Sequence, residues 1–317
     1  MENNVDVPTQ WKVQKRTCKL MGNMFSFSIV AADCQWADHC IDLAIEEIKR
    51  IEALLTTFKD DSQTNKINRA AGLQPVVVDR EVFNLIQRSI KISELTQGAF
   101  DLSYGSIDKK LWNFDQTMIS LPDPSLAKKM VRLINYRNII LDSSNCSVLL
   151  KHKGMRIGFG GIGKGYAADR GKEILIDLGV KSGVVNASGD LTVWGSQIDG
   201  KPWTIGIADP DTRIPFSSIS LKGMAIATSG NYEKFVTING KRYSHTIDPK
   251  TGFPVSGIKS VSIISPMAEL SDALATPVTV MGLKAGIDMI NQMKGVACVA
   301  IDDNNKMFTS NNISIQK

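Results

Sequence analysis

The chain has 317 residues, enough for one large or two closely packed domains with a substantial buried core. At 43% hydrophobic and 22% charged residues it has the composition of a folded globular protein, which excludes a disordered or fibrous chain. The net charge of +5 is spread along the sequence and gives no basic stripe for nucleic acid, and no run approaches the about 20 apolar residues of a membrane span.

Residues 1 to 10 are polar and are expected to fray. Lys15-Arg16 followed by Leu20 to Ala32 has the outline of a signal peptide. However, Asn23, Ser26 and Ser28 interrupt the apolar run, and Phe25, Phe27 and Ile29 alternate with polar residues at strand period. Asp33 before Cys34 also spoils a lipoprotein cleavage site. The expectation is a cytoplasmic chain, envelope-associated only if a leader was removed. Cys18, Cys34, Cys40, Cys146 and Cys298 form no C-x-x-C pair and read as reduced, mostly buried thiols.

In chain order, Trp11 to Cys18 and Met21 to Ala32 read as two strands around Met21-Gly22. Asp38 to Phe58 has a strong helical period through Ile41, Ile45, Ile48, Ile51 and Leu55. A polar turn at 56 to 62 leads to a short helix, Gln63 to Ala70, stopped by Gly72, and Val76 to Val78 is a short strand. Asp79 is placed to cap a helix from Glu81 to Thr96, and residues 105 to 125 read as irregular. Strands are expected at Ile139 to Leu141, Val148 to Lys151 and Met155 to Gly158, and then a helix over 163 to 178.

Val184 to Trp194 reads as a strand broken at Ser188-Gly189, with further strands at 203 to 208, 217 to 228, 232 to 238 and 258 to 264. Ser271 to Val280 reads as a helix start and Lys284 to Met293 as a helix, before final strands at Ala297 to Ile301 and Lys306 to Thr309. Strands and helices mix without βαβ alternation, which predicts an α+β fold with mixed, largely antiparallel sheets and flanking helices. No linker or repeat divides the chain, so a single domain is expected over residues 1 to 317.

Four stretches have chemical character. Arg156 to Tyr166 holds five glycines and Lys164 at the opening of a helix, where bare backbone N–H groups and a full positive charge suit a phosphate. It is not the Walker pattern, because Gly165 follows Lys164, and a tight strand-to-helix connection is the commoner use of such a turn. His245, in Ser244 to Gly252, is a proton-shuttle residue near Asp248, although Asp-Pro and Thr-Gly are also ordinary turn chemistry. Asp272 and Thr276 share a helix face one turn apart, an oxygen pair suited to a hard cation, and Pro277 frees the carbonyl of Ala273. An ordinary helix start capped by Ser271 or Asp272 is the alternative. Finally, Gly98 to Asp101, Asn186 to Asp190 and Thr228 to Tyr232 are small-residue breaks with polar side chains, as a loop against a ligand would need, and each alone is only a turn.

In this order the pieces resemble the FAD:protein FMN transferase (ApbE-like) family. The resemblance rests on Met21-Gly22, Gly98-Ala99-Phe100-Asp101, Gly160 to Tyr166, Asn186 to Asp190, Thr228-Ser229-Gly230, His245 to Pro249 and Asp272 to Thr276, from about Leu20 to past Gly282. It implies a T-fold-like α+β architecture and an enzyme that uses FAD and Mg²⁺ to move FMN onto a Ser or Thr of an acceptor flavoprotein, forming a phosphoester and releasing AMP. By the same resemblance, Asp272, Thr276 and the carbonyl of Gly161 are the expected Mg²⁺ ligands. Met21, Phe58, Ala99, Phe100, Asp101 and Lys164 are expected FAD contacts, with Phe58 where the family often has Tyr. His245 is the expected catalytic residue. Family members commonly carry Asp-Leu where this chain has Gly158-Phe159, which removes one carboxylate, and Pro277 after Thr276 is unusual. Two rival readings are an FAD pyrophosphatase that uses water as acceptor and a non-catalytic flavin-binding protein.

Overall fold

The computed structural model describes residues 11–108, 119–208, 215–230 and 235–313. The expectation for residues 1 to 10 and parts of those for 105–125 and 228–238 lie outside them. The chain opens with a hairpin, β1 (Lys12–Leu20) and β2 (Asn23–Ala31), whose two-residue turn places Met21 and Gly22 at φ 50° and 74°. Helix α1 (Cys34–Leu55) starts a turn earlier than the apolar period suggests, because the Asp33 side chain accepts from the N–H groups of Gln35 and Trp36. Next come α2 (Gln63–Arg69), β3 (Val76–Val77) and α3 (Arg80–Leu95). Asp79 occupies the cap position of α3 without making a cap hydrogen bond; its own N–H donates to Gln63 Oε1.

A 3-10 turn (Leu102–Ser106) precedes α4 (Pro124–Met130), a helix the sequence reading did not anticipate, capped by Asp123 with proline in its first turn. After β4 (Ile139–Asp142) and β5 (Ser147–Leu150), the segment Met155–Gly158 is not the strand expected. Side chains take the place of a partner strand there: Asn68 bonds both backbone groups of Ile157, and Ser106 Oγ bonds both of Arg156.

Helix α5 (Gly163–Asp177) follows, and then β6 (Gly183–Ala187) and β7 (Asp190–Trp194), so the broken strand is a hairpin turning at Ser188-Gly189. The expected strand at 217 to 228 is two strands: β8 (Trp203–Ala208) pairs with β9 (Pro215–Leu221), and β10 (Ala225–Gly230) begins afresh. A small hairpin, β11 (Phe235–Ile238) and β12 (Lys241–Ser244), leads to β13 (Ile258–Ser265). Helices α6 (Ala268–Met281) and α7 (Leu283–Asn291) and strands β14 (Ala297–Asp302) and β15 (Met307–Thr309) complete the chain.

Eight strands form one sheet in the order β1-β2-β6-β7-β10-β13-β14-β15, and every recorded strand pairing is antiparallel, which gives the expected α+β class. Strand period 2 separates two cores. Val185, Val261, Cys298 and Ala300 face the helices, whereas Val184, Ile264, Ala297 and Val299 face the β8–β9 ribbon on the other side. All five cysteines are free, and only Cys34 is exposed. No helix among the described residues is long and apolar enough to cross a membrane.

On the helix side α5 crosses α6 at backbone contact. A Cβ on Gly165 would lie 2.1 Å from the Ala268 carbonyl oxygen, so only glycine fits. At this crossing each helix caps the other. Neither Ile162 nor Met267, the residues at the two cap positions, supplies a side-chain cap. Instead, Asp272 Oδ2 of α6 accepts from Gly165 N–H at 3.0 Å, and Asp169 Oδ2 of α5 accepts from Glu269 N–H at 2.9 Å. Arg88 of α3 clamps Glu269 through two bonds of 2.6 and 2.9 Å.

Two predictions follow from the crossing. Gly165→Ala forces the helices apart and should cost about 3 kcal/mol or more in urea unfolding. Burial pushes the Asp169 carboxyl above its ordinary range, and its Oδ1 is buried without a hydrogen-bond partner among the described residues. The folded chain therefore holds that proton to higher pH than the unfolded chain does. This contribution lowers stability as pH rises from about 4 through the raised native value. Asp169→Asn should flatten that decline when melting temperature is followed against pH, and Asp169→Ala, which also loses the cap, should flatten it at a stability about 1 kcal/mol below that of the Asn variant.

Candidate functional site

A cavity of about 720 Å³, within the range of ligand pockets, opens at the end of the α5–α6 crossing. Its walls come from segments far apart in sequence. Thr57 follows α1, Ala99 to Asp101 follow α3, Gly158, Gly160 and Gly161 precede α5, Ser229 is the next-to-last residue of β10, His245 to Ile247 follow β12, and Thr276 and Val280 lie on α6. Six of the ten residues expected at a site meet here: Ala99, Phe100, Asp101, Gly161, His245 and Thr276. Met21, Phe58, Lys164 and Asp272 are not on its wall.

Each wall is held by local chemistry. The left-handed residues Gln97 and Gly98 turn the chain out of α3, and Phe100 N–H is fixed by Thr96 Oγ1 at 3.0 Å. Asp101 is buried with both oxygens engaged. Oδ1 accepts from Ser103 N–H and its hydroxyl, and Oδ2 accepts from Tyr136 N–H. Burial pushes its carboxyl up against those bonds, so its direct work is to cap the 3-10 turn and hold the wall. Phe100 lies against Gly161, where an added Cβ would sit 3.5 Å from the ring.

The His245 wall is docked from below. Gly252, at φ 77°, would place a Cβ 2.1 Å from the Ala127 carbonyl oxygen, so the turn lies directly on α4. Ile247 N–H donates to the Tyr104 hydroxyl at 3.1 Å, joining this wall to the one that follows α3. The Asp248 carboxylate bonds Lys250 N–H and the Thr251 hydroxyl inside its own turn, so it is turn chemistry. His245 itself is exposed on the cavity wall.

Behind the cavity lies a charge cluster. Lys164 Nζ is ion-paired with Asp190, which is 2% exposed, and Asp272 stands beside both. Burial pulls the Lys164 ammonium down, but Asp272 and Asp190 together more than offset it, and the charge persists. Burial, and then the Asp190 charge, pushes the Asp272 carboxyl up to about 7. Two buried carboxylates thus share one ammonium.

The three metal donors expected from the sequence stand at or behind this cavity. Asp272 supplies a carboxylate, Thr276 a hydroxyl one turn on, and Gly161 a carbonyl across the cavity, all oxygen donors of the kind Mg²⁺ takes. Among the described residues no group of three or more His, Cys, Asp or Glu gathers as a metal site, and this donor set, with one carboxylate, would not form such a group. Asp272 lies inside α6, which begins at Ala268, so it caps α5 and not its own helix.

Phe58 is 96% exposed in the turn after α1, with its N–H bonded to Thr56 Oγ1. Met21 packs near Gly163, and its N–H donates to Glu52. The Asn186–Asp190 stretch is a hairpin turn that reaches the site only through Asp190. Sequence reasoning missed Tyr104, Thr57 and the pairing role of Asp190. The clue for Asp190 was an acid directly after a Ser-Gly turn in an otherwise apolar strand.

Residues 21–300 match the ApbE family. A FAD:protein FMN transferase of Klebsiella pneumoniae (strain 342) is 32% identical over 302 residues, 94% of this chain and 92% of that protein. A FAD:protein FMN transferase of Treponema pallidum (strain Nichols) is 31% identical over 281 residues, 82% of this chain and 77% of that protein. The crystal structure of the ApbE protein of Thermotoga maritima MSB8 superimposes with a TM-score of 0.84 at 29% identity, covering 95% of this chain and 97% of that one. On that match, which runs over most of its length, the chain belongs to the ApbE family.

Proposed function

We propose that the chain is an FAD:protein FMN transferase, acting as a single domain with Mg²⁺ and moving FMN from FAD to a Ser or Thr hydroxyl of an acceptor flavoprotein. The observation that carries this is the meeting of Gly161, Thr276, Phe100 and His245 on one cavity, with Asp272 behind it. Relatives of this chain bear that activity's name.

In this reading Asp272, Thr276 and the Gly161 carbonyl would hold Mg²⁺, which would supply positive charge to offset that of the diphosphate. Lys164, held by Asp190, keeps a fixed positive charge beside the same group. Phe100 offers an apolar face to a flavin ring, and the small residues Ala99 and Gly161 let the ligand come close to backbone. His245 takes the proton of the acceptor hydroxyl as its oxygen attacks the phosphorus on the FMN side. The bond to AMP breaks, a phosphoester forms, and AMP leaves with the proton.

Incubation with FAD, Mg²⁺ and a Ser/Thr-bearing acceptor flavoprotein should raise the acceptor's intact mass by one FMN less water, with one AMP per transfer. AMP without any acceptor modification would favour hydrolysis, and bound FAD with neither product a binding protein. Loss of the shuttle in His245→Asn should lower the transfer rate about 100-fold or more without weakening FAD binding. Asp272→Asn keeps an acceptor for Gly165 N–H and removes a buried charge. Its melting temperature without metal should hold or rise while transfer falls at least about 100-fold; a large loss of stability would contradict the assigned role.

A further inference from the structure

A second hollow of about 310 Å³ adjoins the cavity, and Thr57 and Arg156 line both. Its rim is basic. Lys66 and Arg69 lie three residues apart on α2, on one face, and the turn carrying Lys151 and Lys153 packs against the end of that helix. The packing is close: a Cβ on Gly72 would lie 2.4 Å from Lys153 N, and Gly72 N–H donates to the Leu150 carbonyl. With Arg156 this makes five exposed basic side chains. The adjoining acids are Asp60, which lines the hollow and pairs with the exposed Arg69 at 3.4 Å, Asp61, and the exposed Asp108, which lines the main cavity with Arg156. Lys66, Lys151, Lys153 and Arg156 have no side-chain hydrogen-bond or ion-pair partner among the described residues.

Surface cations left unpaired beside a catalytic cavity answer to a charge brought by something else. Under the reading as an FMN transferase, which this inference rests on, a polypeptide brings its hydroxyl to His245 in the cavity that this hollow adjoins. We infer that the rim formed by Lys66, Arg69, Lys151, Lys153 and Arg156 is the docking subsite for an acidic stretch of the acceptor polypeptide beside its Ser or Thr. Arg156 stands where the two hollows meet and so fixes how far the acid lies from the attacking hydroxyl. Each exposed pair adds roughly 1.4- to 5-fold, so four of them give roughly 4- to 600-fold, with strong dependence on salt.

The test uses two labelled decapeptides and the FAD-loaded protein at low ionic strength. One peptide has a single threonine flanked by four aspartates, and the other has asparagines in their place. Fluorescence anisotropy should show the acidic peptide binding at least about fourfold more tightly. The preference should disappear in 0.5 M salt and in the double variant Lys153→Glu, Arg156→Glu. A second double variant, Lys66→Glu with Lys151→Glu, should weaken the preference in the same direction and guards against a folding defect in the first. Equal affinity for the two peptides, or a preference that survives both variants, overturns the inference. So does a tenfold loss of FAD affinity in the first variant with the peptide preference intact, which would give Arg156 to the FAD phosphates. A wild-type protein that selects the acidic peptide yet transfers no FMN to any acceptor supports the subsite and sinks the transfer reading alone.

Discussion

Two helices meeting without a side chain between them is the constraint on which the rest of this molecule depends. Gly165 brings α5 within backbone contact of the first turn of α6, too close for either helix to carry its own cap there. Each borrows an aspartate from the other, Asp272 for α5 and Asp169 for α6. A carboxylate at a helix start meets both unpaired N–H groups and the positive end of the dipole. The exchange therefore stabilises the crossing and fixes its angle. It also places the Gly161 loop opposite Thr276, so the same contact that packs the core sets the geometry of the cavity.

The charges follow from that packing. Asp272 is held at the crossing by Gly165, and burial beside Asp190 raises its affinity for a proton. Lys164 supplies one positive charge for the two acids. In the proposed reading, that excess of buried negative charge and the nearby oxygen donors are what a hard cation would answer. Asp101 illustrates the converse. Its carboxylate faces the same cavity region but is saturated by Ser103 and Tyr136, so it supports the wall.

Much of this was legible in the sequence because periodicity reports burial. The apolar stripe of α1 and the alternation of Phe25, Phe27 and Ile29 need no tertiary information. The cavity residues were legible as an ordered set of small-residue breaks, each weak alone. Failures occurred where side chains replaced regular pairing. Met155–Gly158 has strand composition, yet its backbone groups go to Asn68 and Ser106, which lie 89 and 50 residues away. Helix α4 begins inside the stretch read as irregular, although Asp123-Pro124 is a good helix start. The exchange of caps between α5 and α6 joins positions 107 and 100 residues apart, and no local pattern announces it.

The account stands on a cation held at the α5–α6 crossing, and one measurement tests it most directly. Crystals of the protein grown with FAD and Mn²⁺ in place of Mg²⁺ should give a single strong anomalous peak bonded to Asp272, the Thr276 hydroxyl and the Gly161 carbonyl, with the diphosphate alongside. A peak elsewhere, or ordered FAD in the cavity with no metal between its phosphates and α6, would contradict it.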